Sequence, residues 1–167
     1  MRGSGVLYLI AGSFFFLTLG IAVTVALPHF QEPAPSALAV EAKTAADANP
    51  AVVRGRRIYA REGCWYCHTQ QVRAPEANKG FVLAAGDIGP ESLEADYAFQ
   101  KPVFWGTERQ GPDLTHAAGR GRGANREIQL VHLKSPRAVS PGSVMPSYAH
   151  LPDDELNALV DYLLTLK

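Results

Sequence analysis

From Gly3 to Phe30 the chain carries no Lys, Arg, Asp or Glu, and Val6 to Leu27 is an almost unbroken run of apolar residues. At about 1.5 Å per residue, roughly twenty such residues cover the ~30 Å hydrocarbon core of a bilayer. The pattern predicts a transmembrane helix within residues 1–30, with Pro28 as a stop at its outer end. A cleaved secretory signal would have an apolar part of only about 7–15 residues closed by a small-x-small site. This run is longer and no such site follows, so an uncleaved anchor is expected. Gly5, Gly12, Ser13 and Gly20 are small enough to let another helix approach. Arg2 precedes the run and few cations follow it closely, which places the amino terminus inside and the rest of the chain outside.

Residues 31–50 lose that pattern. They are rich in Ala and Pro, show neither a helical nor an alternating period, and read as a tether kept partly extended by Pro33 and Pro35. Residues 51–167 read as one folded domain. It opens on a helical spacing, Val53, Ile58 and Tyr59, and closes on a clearer one, with Leu156, Leu159, Val160 and Leu163 recurring at i, i+3, i+4 and i+7. Asp153, Asp154 and Glu155 suit the positive end of that last helix, and Lys167 the negative end. Between them, Ala74 to Lys101 is a long Gly- and Pro-containing stretch, a length typical of functional or disordered loops.

Charge narrows the function classes. Lys plus Arg and Asp plus Glu each total 16, so no excess of either sign points to nucleic acid or to an acidic substrate. The chain has 2 cysteines, Cys64 and Cys67, too close together to staple distant parts of a domain, so they form a local chemical motif.

That motif is Cys64-Trp65-Tyr66-Cys67-His68, the C-x-x-C-H spacing of covalent haem attachment. Two thiols two residues apart span the two vinyl groups of one haem, and the His that follows is aimed at the iron. A thioredoxin-like pair would follow a strand, whereas the preceding residues have helical spacing. A zinc site would need two more ligands, and there is no second cysteine pair. The expected cofactor is therefore one covalent haem c, held by Cys64 and Cys67, with His68 as axial ligand. Attachment of this kind is completed outside the bacterial cytoplasmic membrane, which agrees with a single-pass inner-membrane protein whose haem domain is periplasmic.

For the sixth iron ligand, Met145 is the only methionine besides Met1, and Pro141 and Pro146 pin its loop. A soft thioether held rigidly there suits iron. The competing use is a gap-filling core Met, and the competing ligands are His116, His132 and His150. Arg109, Arg120, Arg122 and Arg137 offer charge for haem propionates, Arg137 foremost because it adjoins the methionine loop.

Gly55-x-x-Ile58-Tyr59-x-x-x-Gly63 resembles the first helix of class I cytochromes c, and the Met145 loop resembles their methionine loop. The resemblance implies an all-α class I cytochrome c fold behind an N-terminal transmembrane helix. It also implies that the carbonyl of Pro112, in Gly111-Pro112-Asp113-Leu114, accepts the Nδ1 proton of His68 and leaves Nε2 to the metal. The segments REGCWYCHTQQVR (61–73), FWGTERQGPDL (104–114), HLKSPR (132–137) and SPGSVMPSY (140–148) resemble, more narrowly, the mono-haem FixO-type subunit II of cbb3-type cytochrome c oxidases. Gln71, where that family commonly has a methionine, and Arg73-Ala74-Pro75, where it has Arg-Pro, depart from the pattern.

The narrower resemblance implies a non-catalytic relay of single electrons to a haem–copper catalytic subunit that reduces oxygen. Its partners would be that subunit, the other cytochrome subunits and the membrane. A nitric oxide reductase cytochrome is the neighbouring alternative. A haem-based sensor differs in kind and would need a displaceable sixth ligand. Tyr97, Phe99, Phe104 and Trp105 are expected either over the haem edge or against a partner, with burial in the core as the plain alternative.

Overall fold

The computed structural model describes residues 3–73, 89–106, 108–119 and 121–167, and every regular element among them is helical. The chain divides into two units, Met1–Ala34 and Pro35–Lys167.

In the first unit α1 (Gly3–Ile21) passes through a widened π-type turn, Ala22–Ala26, into α2 (Leu27–Phe30). The widening falls in the turn before Pro28, which has no N–H for the Thr24 carbonyl and whose ring crowds that carbonyl. The Thr18 and Thr24 hydroxyls donate back to the Phe14 and Gly20 carbonyls, at 2.8 and 2.7 Å, so neither is left unsatisfied in an apolar setting. Gly5–Phe30 is helical throughout and, at a mean hydropathy of 2.3, long and apolar enough to cross a membrane. Gly5, Gly12 and Gly20 face open space.

The second unit begins with a departure from the sequence reading. The stretch expected to be a tether contains α3 (Ala37–Ala48), whose first turn is capped by Ser36, its hydroxyl accepting the Ala39 N–H at 3.2 Å. Alanine has the highest helix propensity, and Pro33, Pro35 and Pro50 bracket this segment without interrupting it. An Ala-rich helix lacks the bulky apolar stripe on which periodicity depends. It is fastened by burial of Ala39 and by the Ser36 N–H donating to the Ala95 carbonyl at 3.1 Å.

Asn49 ends α3 and caps α4 (Pro50–Arg61), its Oδ1 accepting the Ala51 N–H at 2.9 Å while Pro50 occupies the first turn, where its missing N–H costs nothing. The buried face of α4 is Val52, Gly55, Ile58 and Tyr59, whereas Val53, expected on that face, is 37% exposed. α5 (Cys64–Cys67) is a single turn, α6 (Arg126–Lys134) is capped by Asn125, and α7 (Pro136–Val139) follows at once. α8 (Asp153–Leu163) closes the chain, with Pro152 just outside its first turn.

The core is the crossing of α4 and α8. Leu156, Leu159 and Val160 have no exposed surface, and each contributes roughly 1.5–3 kcal/mol by leaving water. A Cβ on Gly55 would lie 1.9 Å from the Ala158 carbonyl oxygen, so only glycine permits this approach. The Tyr59 ring meets Tyr162 edge-on at 5.5 Å and Phe104 at 5.2 Å. At the rim Arg54 pairs with Asp154 and Arg61 with Glu155, joining the ends of the two helices.

Candidate haem-binding site

Gly63, at φ 70°, turns the chain out of α4 in the left-handed conformation that glycine adopts without strain. The turn sends Cys64 into the core, 8% exposed against Tyr148 and the α4–α8 pair, and leaves Cys67 half-buried one helical turn later. Burial pushes the Cys64 thiol up to about 11, partly offset by a hydrogen bond with Tyr148. The Cys67 sulfur is 3.5 Å from the Gln110 side-chain oxygen. His68 leaves α5 in extended conformation, its N–H donating to the Cys64 carbonyl at 3.0 Å. The two thiols and the imidazole are thus presented from five consecutive residues.

Two strands of irregular chain bracket His68. On one side Gln70 N–H donates to the Phe104 carbonyl, and Gly106, at φ 81°, lies so close that a Cβ would stand 2.6 Å from the His68 carbonyl. On the other, Gly111 N–H donates to the Cys67 carbonyl at 2.9 Å and Leu114 N–H to the Thr69 carbonyl at 2.8 Å. His68 Nδ1 and the Pro112 carbonyl oxygen are 2.7 Å apart. A carbonyl only accepts, so Nδ1 carries the proton and Nε2 the lone pair. Gly111 backs the same ring: a Cβ there would lie 2.3 Å from His68 Cε1.

Met145 lies in the loop after α7, half-buried against the core cluster, its N–H donating to Ser143 Oγ at 3.2 Å. Arg137 donates from Nε to the Ser143 carbonyl at 3.2 Å, fastening this loop. Among the rival histidines, His116 packs on Gly89, where a Cβ would be 2.3 Å from its ring, and His150 sits 3.4 Å from Glu62. His132, on α6, is held below its ordinary pKa by burial and, secondarily, by the nearby Arg122 charge.

The aromatic residues separate. Phe104 is 3% exposed and belongs to the core, while Phe99 and Trp105 are about half exposed, Trp105 edge-on to Tyr97 at 5.9 Å. The Tyr97 hydroxyl donates to the Gln70 carbonyl at 2.8 Å, tying the end of the long insert to the haem-motif segment. Residues 74–88 of that insert, with Arg120, lie outside the described residues.

Asp113, Thr69 and Gln70 had no signal of their own in the sequence, whereas Arg109 was expected among the charges for haem propionates. Asp113 is completely buried; its Oδ2 accepts from Thr69 Oγ1 at 2.5 Å and from Gln71 N–H at 2.8 Å, and its Oδ1 accepts from Thr115 N–H at 2.8 Å. Arg109 donates from Nε to Thr69 Oγ1 at 3.0 Å and from Nη2 to the Gln71 carbonyl at 2.7 Å. The Gln70 amide donates to the Tyr162 hydroxyl at 2.9 Å, linking the site to α8.

Helices as the only regular elements among the described residues, one of them of membrane length, and a C-x-x-C-H turn whose His is braced by a proline carbonyl are the features of an anchored cytochrome. The chain belongs to the family described as cytochrome C oxidase, mono-heme subunit/FixO, whose model matches residues 6–163. It is accordingly a mono-haem cytochrome c subunit of a cytochrome c oxidase. No curated protein matches the chain.

Proposed function

We propose that this chain relays single electrons to the haem–copper catalytic subunit of a cbb3-type oxidase, which reduces oxygen, from a haem domain on the periplasmic side of a bacterial inner membrane. The observation that carries the reading is the 2.7 Å contact between His68 Nδ1 and the Pro112 carbonyl, beside two thiols one helical turn apart. It fits a haem c: the hydrogen bond sets the tautomer with its lone pair on Nε2, and the glycine behind the ring lets the backbone approach the imidazole where a Cβ would collide with it.

Cys64 and Cys67 would hold the haem covalently, His68 and Met145 would ligate its iron, and Arg137 would act through the Met145 loop that it fastens. When bound, the haem supplies one-electron cycling between ferrous and ferric iron. The chain supplies position and potential. Pro112 keeps the His68 proton on Nδ1 and so holds Nε2 basic, and the α4–α8 core behind Cys64 excludes water from one side of the motif. As a ligand, the Met145 thioether would favour the reduced state relative to a second histidine. With His68 and Met145 both committed to holding the group, oxygen would be reduced on a partner and not here.

Purification of the intact complex from native membrane tests the assignment. Co-migration with a haem–copper subunit and dioxygen reduction by the complex support it, and stable isolation with a nitric oxide reductase overturns it.

A further inference from the structure

We propose that Asp113 and Arg109 are positioning residues that set the reduction potential of the haem with opposite sign, acting through Thr69 and Gln71 on the segment that carries His68. The inference rests on the reading of His68 as an axial ligand. Asp113 directly follows Pro112 and is completely buried, and three donors converge on its two oxygens, as on a carboxylate. Two of those donors, Thr69 Oγ1 and Gln71 N–H, lie one and three residues after His68, so the carboxylate that follows Pro112 ties down the segment that follows His68, beside the His68–Pro112 contact.

Arg109 reaches the same two residues from its own side, at Thr69 Oγ1 and the Gln71 carbonyl. A fixed negative and a fixed positive charge therefore share the same short segment next to the ligand, the carboxylate completely buried, where charges are poorly screened, and the guanidinium half-buried. The negative charge favours ferric iron, which carries one more positive charge, and lowers the potential. The guanidinium does the reverse.

A purely structural clamp gives a different pattern. Loosening the site admits water, which stabilises ferric iron, so any loosening variant lowers the potential.

Redox titration of the full-length holoprotein in detergent separates the two. Asp113→Asn is expected to raise the midpoint potential, Arg109→Gln to lower it, and Arg109→Lys, which keeps the charge and loses the planar fork, to restore it to near the wild-type value. Lowering in both Asp113→Asn and Arg109→Gln, or no shift in either, overturns the proposal. Should Asp113→Asn fail to retain haem, the Arg109 pair decides alone: equal lowering by Gln and Lys overturns it. A His68→Ala protein whose haem keeps its axial-ligand spectrum would instead refute the underlying reading of His68, whatever the potentials of the other variants.

Discussion

Gly55 and Ala158 mark the closest approach of the two helices that build the domain, with room for no side-chain atom between the Gly55 Cα and the Ala158 carbonyl. Gly55→Ala should therefore force α4 and α8 apart. Overpacking of this kind costs about 1–3 kcal/mol, and the obstacle here is backbone, which has no rotamer to change. Thermal unfolding of the holoprotein should fall measurably; an unchanged midpoint would show that the helices do not cross there.

Gly111→Ala tests the support behind His68. The added Cβ would meet the imidazole at 2.3 Å, so the ring must tilt or the Pro112 segment must retreat. Reduced haem incorporation and an altered axial-ligand spectrum are expected. Gly121→Ala, at a position facing open space, is the control that should behave as wild type.

Met145→Ala should remove the weak near-infrared sulfur-to-iron band and lower the reduction potential. Added carbon monoxide should then bind the reduced variant readily while binding the wild type poorly. An unchanged variant spectrum would assign the sixth position to another residue, and rapid stoichiometric carbonyl formation by the wild type would favour a sensor.

Acid should loosen the α4–α8 rim. Hydrogen bonding to Arg54 and to Arg61 holds Asp154 and Glu155, respectively, below their ordinary carboxylate ranges. Groups depressed in the folded state stabilise it fully above their unfolded values, about pH 4 to 4.5, and lose that contribution as pH falls through the depressed folded values. Melting followed from about pH 6 to 3 should decline less steeply in an Asp154→Asn, Glu155→Gln double variant; an identical slope would show that these pairs add nothing.

The sequence revealed what repeats or stands in one place. The stripe Leu156, Leu159, Val160 and Leu163 is buried as its spacing implies, and Cys64 to His68 form one compact turn. What escaped depends on distant parts meeting. Asp113 finds Thr69 across 44 positions, and Tyr162, polar at its tip and outside the apolar stripe, finds Gln70 across 92. The helix Ala37–Ala48 escaped for another reason: small side chains leave no hydrophobic period even where the backbone is helical.

Covalent attachment of one haem at Cys64 and Cys67 is open to direct test. Proteolysis of the purified holoprotein followed by mass measurement of the peptide containing residues 64–68 should find that peptide carrying one haem through two thioether bonds. Recovery of the peptide with two unmodified thiols, its haem extracted by acidified solvent, would contradict the account.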